Sequence, residues 1–215
     1  MPTSNAQYQP GDHACCLFDT EEERRSLVTP YIRQGLEKNE KVVYLVDGPT
    51  AAPLLAYLRS DGVDVNGYLK SNRLTIVSAT ETCAPLGYLD PKPMVGWLRQ
   101  QEEEARRAGF TALRCAIEMT WALGGVAEAE RVVDFEWKVN AFFPGRACIA
   151  LCQYDRRRFD ESTLGEIVVT HPMVLCGVRG YNDLVVHRPP APKPAWEPAA
   201  IYDPESDPMI PKVGT

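Results

Sequence analysis

Glu118, Glu136 and Asn140 are the residues whose surroundings first suggest chemistry. Glu118 closes an apolar run of strand length, residues 112–117, and a second such run, 147–152, ends in Gln153, Tyr154 and Asp155. Between the runs lies an amphipathic segment. On a wheel of about 100° per residue its apolar arc carries Val132, Val133, Phe135, Trp137, Val139, Phe142 and Phe143, and Glu136 and Asn140 fall inside that arc. An unpaired buried polar group costs roughly 2–7 kcal/mol, so both side chains need partners. Two outcomes are open. They form a structural network tying helix to sheet, or they reach a ligand pocket shared with Glu118.

The histidines and cysteines offer a second chemistry. His13 and Cys15, two residues apart on a strand, share one face at about 7 Å. Together with Cys152 and His171, drawn from other segments, they could hold zinc, iron or haem. The alternative is that the cysteines are small core residues and His13 is hydrogen-bonded near the sheet rim. A nucleophilic cysteine could take His13 or His171 as its base, but the cysteines sit in apolar runs, where the thiol pKa rises and reactivity falls. The seven cysteines are odd in number and contain no C-x-x-C, which argues for reduced thiols rather than disulfides. Where a phosphate loop would sit the chain reads CLFDTEEERR, and three glutamates at a helix start repel a triphosphate. G-x-S-x-G and H-E-x-x-H are also missing. No catalysis and no cofactor are expected.

The elements that must position these groups alternate strand and helix, the pattern of an α/β fold with a mostly parallel central sheet. Strands are expected at 13–18, 41–46, 73–77, 112–117, 147–152 and 173–177, the last at a sheet edge. Helices are expected at 20–37, 50–60, 91–108 and 161–169, with one helical turn within 64–71. Thr20 and Glu23 have the spacing of a capping box, Pro30 kinks or divides the first helix, and Asp90 and Gly109 start and stop the third. The stretch 78–90 reads as a loop and a candidate lid. Residues 1–187 form one domain. Residues 188–215 hold eight prolines and few core-forming side chains, the composition of an extended or disordered tail.

With 215 residues and 45% hydrophobic content the chain can bury one substantial core. A net charge of −6 argues against a phosphate-backbone binder, so direct nucleic-acid contact is not expected. Neither a signal-peptide core nor a membrane-length apolar run is visible, which points to a cytoplasmic protein.

Six motifs, GDHACCLF, EKNEKVVYLVD, RCAIEMTWAL, EWKVN, LCQYDRRRF and THPMV, follow one another in the order found in the MEDS sensory domain of methanogen and methylotroph regulators and the dichloromethane-responsive repressor. The chain resembles that family over residues 11–186. The resemblance implies a core similar to that of RecA and KaiC without its phosphate loop, used as a sensory input for small molecules, hydrocarbon derivatives among them. Family members are often joined to a histidine kinase, an ATPase-like kinase domain or a DNA-binding domain. Matching positions are His13, Cys15, Glu118, Trp121, Glu136, Asn140, Cys152, Tyr154, His171 and Pro172. Phe18 departs from the family's usual aromatic residue by lacking a hydroxyl, and the later acid–aromatic pairing appears as Phe135-Glu136-Trp137. No output domain is expected within the chain.

The expectation is therefore a non-catalytic sensor that binds a small, partly apolar molecule at the carboxyl rim of its sheet. Glu118 and Glu136 would be polar anchors, Asn140 and Tyr154 hydrogen-bonding groups, Trp121 an apolar wall, and His13 a border. The signal would leave through a histidine kinase, an anti-sigma-type protein or a transcription regulator, with a homodimer left open. The alternatives are a ligand-free interaction module, or a metal- or haem-dependent redox sensor using His13, Cys15, Cys152 and His171.

Overall fold

A computed structural model describes residues 7–48, 51–85, 89–123, 129–178 and 181–187. The chain runs β1 (His13–Phe18), α1 (Glu21–Glu37), β2 (Lys41–Val46), α2 (Ala52–Ser60), α3 (Val65–Lys70), β3 (Leu74–Ser78), α4 (Ala79–Cys83), α5 (Pro91–Arg107) and β4 (Leu113–Glu118). A 3-10 turn (Thr120–Leu123), α6 (Ala129–Asn140), β5 (Cys148–Asp155), α7 (Glu161–Thr170), β6 (Met173–Val178) and β7 (Tyr181–His187) follow. The strands form one sheet in the order β3-β2-β4-β5-β1-β6-β7. β3 to β6 are parallel, and β7 returns antiparallel to β6.

Helices cover both faces, which is why the parallel strands are apolar throughout rather than alternating. On one face Leu27, Ile32, Leu54, Leu58 and Val65, from α1, α2 and α3, pack on Ala14, Cys16, Tyr44, Ala116 and Leu151. On the other, Met94, Leu98, Val132, Phe135 and Ile167, from α5, α6 and α7, pack on Cys15, Leu17, Cys115, Cys152 and Tyr154. Successive side chains on a strand point to opposite faces. That alternation sends Arg114 and Glu118 of β4 toward α1, and Cys152 and Tyr154 of β5 toward α6.

Local signals act as expected at the caps. The Thr20 hydroxyl accepts from the Glu23 amide, and the Glu23 carboxylate reaches back to the Asp19 amide, so α1 starts with its first donors satisfied. Pro30 neither divides nor ends it; α1 is one helix through Glu37. Asp90 caps α5, and Gly109, at φ +83°, lets the chain leave it in a left-handed conformation. Gly35 is needed for space: a Cβ there would lie 2.5 Å from the Arg114 side chain and 3.0 Å from Val42, so α1 can lie over the buried guanidinium only with glycine at this point.

Three expectations change. Within 78–90 the structure forms α4, capped by Ser78, with Ala79 and Cys83 buried; the apolar residues there pay for docking, so this part is core rather than lid. Residues 86–88 lie outside the described residues. β5 continues to Asp155, so Gln153 and Tyr154 are strand residues pointing to opposite faces, not groups gathered beyond a strand end. β6 lies inside the sheet because β7 covers its outer side. The expected tail, 188–215, lies outside the described residues.

Candidate functional site

Two polar groups lie on opposite faces of the sheet: the first at the carboxyl ends of β4 and β5, the second around the amino end of β1 and the middle of β5, so only the first occupies the carboxyl rim expected for the whole set. On the α1 face, Glu118 is fully bonded. Its Oε1 accepts from the Arg24 guanidinium and the Tyr44 hydroxyl, and its Oε2 accepts from the Asp47 amide at 2.8 Å. Arg24 also donates to the Tyr44 oxygen and, through Nε, to Gln153 Oε1 at 3.1 Å. Glu118 and Gln153 are in register on adjacent strands, which is why one guanidinium spans both. Farther back on β4 the fully buried Arg114 pairs with Glu40 and lies over the rings of Tyr31 and Tyr8, 4.5 and 5.3 Å from their centroids.

The α6 face holds a different arrangement. β1 supplies His13, α6 Glu136 and Asn140, β5 Cys152 and Tyr154, and the end of α7 His171. His13, Glu136 and His171 are each 1% exposed, and Cys152 is 2% exposed. The His13 ring is stacked on Phe143, with centroids 4.5 Å apart and planes at 11°, and it faces His171 at 4.4 Å on a tilt. Its Nδ1 lies 3.1 Å from Asn140 Oδ1, and its Nε2 lies 3.4 Å from Cys152 Sγ and 3.6 Å from Glu136 Oε2. His171 Nε2 is 3.5 Å from the same Glu136 oxygen. The Tyr154 hydroxyl donates to the other carboxylate oxygen, Oε1.

The outward bonds of the histidines fix their tautomers. His171 Nδ1 lies 2.9 Å from both Ile167 O and the Thr170 hydroxyl, whose own proton goes to Ile167 O at 2.8 Å; in the neutral ring a proton on Nδ1 suits both neighbours and leaves a lone pair on Nε2. With its Oδ1 toward His13, Asn140 likewise takes the Nδ1 proton of His13. Glu136 Oε2 and His171 Nε2 then face each other as acceptors, and both are buried without a hydrogen-bond partner. Burial, helped by His171, holds the His13 imidazolium well below its ordinary pKa, against the opposing hydrogen bond with Asn140. Burial and the Glu136 carboxylate push the Cys152 thiol and the Tyr154 phenol well up. The cysteine elsewhere is no more reactive: burial raises Cys16 to about 12.

The sequence matches, over residues 12–172, the family described as MEDS: MEthanogen/methylotroph, DcmR Sensory domain. The chain belongs to the MEDS family. No curated protein matches the sequence. Among solved structures, the KaiC-like protein PH0186 of Pyrococcus horikoshii OT3 is similar at a TM-score of 0.54 and 15% identity, over 78% of this chain and 71% of that one. The flagellar accessory protein FlaH of Methanocaldococcus jannaschii gives 0.50 and 16%, over 78% and 71%. The uncharacterized protein PH0321 of P. horikoshii, solved with an unknown peptide, gives 0.57 and 14%, over 76% of each chain. At such identities the likeness shows the fold alone, a RecA- and KaiC-like α/β core.

Of the six ligand-binding candidates, this MEDS domain brings His13, Glu136, Asn140 and Tyr154 together and places Glu118 across the sheet. Strand alternation is the reason: Glu118 shares its face with Arg114, whereas Glu136 comes down onto the face of Cys152. Trp121, in the 3-10 turn, packs edge-on against Phe135 at 5.9 Å, and its indole nitrogen is buried without a hydrogen-bond partner. Of the four metal candidates, His13, Cys152 and His171 converge, with Glu136 in the fourth place instead of Cys15. Sequence inspection missed Arg24 and Tyr44. Arg24 follows three glutamates at a helix start, where its charge reads as a surface partner for them, and only the register of β4 and β5 reveals its role.

Proposed function

We propose that this MEDS domain is a non-catalytic, cytoplasmic sensory and regulatory module. It takes a small, partly apolar molecule on the α6 side of the sheet and passes the event to a partner, a histidine kinase, an anti-sigma-type protein or a transcription regulator. One observation carries the reading: Glu136 Oε2 and His171 Nε2 are buried acceptors without hydrogen-bond partners, beside the His13 ring that stacks on Phe143. Apolar walls with a few converging polar groups are what small-molecule recognition needs. Glu118, whose lone pairs are engaged by Arg24, Tyr44 and the Asp47 amide, acts instead as a structural tie across β2, β4 and α1.

Native mass spectrometry of the chain purified without added ligand tests this. A stoichiometric organic mass that leaves on denaturation, survives Glu118→Gln and disappears in Tyr154→Phe or Asn140→Ala is expected. An organic mass that all three variants retain would place the site elsewhere.

A second reading has its own observation. Between α6 and α7 lies an open cleft of about 360 Å³ lined by Val133, Trp137, Gly165 and Val169 with Glu161 and Glu166, and Val169 is 44% exposed. Such a surface suits a ligand-free interaction module. A partner complex that forms with the apo protein and is lost in Val169→Asp would favour it.

A further inference from the structure

We infer that His13, Glu136, Cys152 and His171 form a site for one divalent transition-metal cation of the zinc or ferrous class, bound by two imidazole nitrogens, one sulfur and one carboxylate oxygen. The inference goes beyond the sensory reading and does not depend on which molecule, if any, the domain senses.

Convergence is the first support. One donor atom from each of the four residues lies within 4.8 Å of all the others. Metal–ligand bonds of about 2.0–2.3 Å in a tetrahedron set donors roughly 3.3–3.8 Å apart. Three of the contacts, His13 to Cys152 at 3.4 Å, His171 to Glu136 at 3.5 Å and His13 to Glu136 at 3.6 Å, already fall in that range.

Hydrogen-bond polarity is the second. The proton of His171 Nδ1 is committed to Ile167 O and that of His13 Nδ1 to Asn140 Oδ1, so both Nε2 lone pairs point inward. Glu136 Oε2 adds a third lone pair, and nothing among the described residues donates to it. The Cys152 thiol can donate to His13 Nε2, which leaves Glu136 Oε2 and His171 Nε2 facing each other as acceptors without a donor, and a cation at the centre would satisfy all four groups. The outer partners are those that metal-bound histidines use to fix tautomer and ring direction. Tyr154, donating to the distal oxygen of Glu136, steers the near one inward.

Charge is the third. Two neutral imidazoles, one carboxylate and one thiolate carry two negative charges, which a divalent cation neutralises inside a fully buried site. On binding, the Cys152 thiol gives its proton to solvent and the sulfur lone pair goes to the metal. No electron is transferred. The mixture of nitrogen, sulfur and oxygen donors suits zinc or ferrous iron rather than magnesium or calcium. A porphyrin would supply four of an iron's donors itself and leave at most two for the chain, so four converging side-chain donors suit a bare ion rather than haem. Burial implies that the ion enters as the chain folds and ties β1 and β5 to α6 and α7.

The test is refolding of the full chain, freed of metal by a chelator, in graded Co2+ alone. One equivalent should bind, giving the visible bands of tetrahedral cobalt and a near-ultraviolet charge-transfer band from one thiolate. Zn2+ should bleach both. Cys152→Ser should lose the charge-transfer band, Glu136→Gln and His171→Asn should lose stoichiometric binding, and Asn140→Ala should weaken it about 10–100-fold. Cys83→Ser, outside the cluster, should change nothing. Absence of saturable uptake by the unmutated chain, or a charge-transfer band that survives Cys152→Ser, would overturn the inference. Should Cys152→Ser not fold, X-ray absorption of the unmutated cobalt form decides: one sulfur among four donors supports the site, and any other sulfur count overturns it. A purified protein that carries an organic mass but takes up no metal would defeat this inference and spare the sensory one. Metal uptake without an organic mass does the reverse.

Discussion

Glu118 at the end of β4 and Glu136 on α6 are both acids packed against the sheet, yet their surroundings are opposite in kind. Glu118 meets a guanidinium, a phenol and an amide, so its negative charge is answered within the chain. Glu136 meets one phenol and two imidazole nitrogens whose protons are committed elsewhere, and one of its oxygens has no donor. A charge buried with a partner is structural. Glu136 Oε2, buried among acceptors, is what sets the α6 face apart, and this contrast underlies the proposed division between a structural α1 face and a sensing α6 face.

The comparison can be broken most violently at the most deeply buried charge of the α1 face. Arg114→Met removes the cation but leaves Glu40 only 3% exposed, without its guanidinium. Breaking such a pair costs about 3–5 kcal/mol. Urea denaturation should show a loss of that size, and Arg114→Met with Glu40→Gln should recover most of it. Failure of the double substitution to recover would mean that the stacking on Tyr31 and Tyr8, rather than charge balance, holds Arg114.

The two glutamates should then respond to the same substitution with opposite signs. Glu118→Gln weakens charge-assisted hydrogen bonds to Arg24 and puts an amide donor where a donor already points, at a cost of about 1.5–3 kcal/mol. Glu136→Gln places an amide nitrogen where Oε2 faces His171 and His13, creating a hydrogen bond in place of a repulsion. In the metal-free chain it should stabilise the fold by about 0.5–1.5 kcal/mol. Chemical denaturation in chelator measures both. Equal losses in the two variants would mean that the acceptors around Glu136 are already satisfied, and the distinction between the faces would fall.

Much of this was legible in the chain. Apolar runs closed by polar residues gave β4 and β5, the T-x-x-E spacing gave the start of α1, and the break in the apolar arc of α6 singled out Glu136 and Asn140. What the sequence could not show is facing. Whether Glu118 and Glu136 share a pocket depends on strand alternation and on which side α6 crosses, and only the assembled sheet settles both. The same limit put Cys15 in place of Glu136 in the metal set: His13 and Cys15 share a strand face, but the long acidic side chain of α6 comes down beside His13. β7 was missed because it follows β6 after only two residues and lacks a continuous apolar run of its own.

The mildest prediction tests whether burial, rather than pairing alone, sets the weight of a carboxylate–arginine contact. Asp155 ends β5 and accepts from the Arg157 amide at 3.0 Å, from its Nε at 2.8 Å and from its NH2 group at 2.6 Å. These bonds, opposed by partial burial, hold its pKa below the ordinary aspartate value of 3.8. Arg157, however, is 58% exposed, so water and salt screen the pair. Because the folded-state pKa is the lower one, the stabilisation is complete above about pH 4 and disappears as pH falls through the folded value. Asp155→Asn should cost less than about 1 kcal/mol at pH 7, with the difference shrinking in high salt and vanishing in strong acid. The Glu118→Gln loss, measured beside it, should hold in high salt, since Arg24 and Glu118 are only 18% and 16% exposed. If salt erased both alike, solvent would screen the α1 network as fully as the rim pair, and burial would not be what makes it structural.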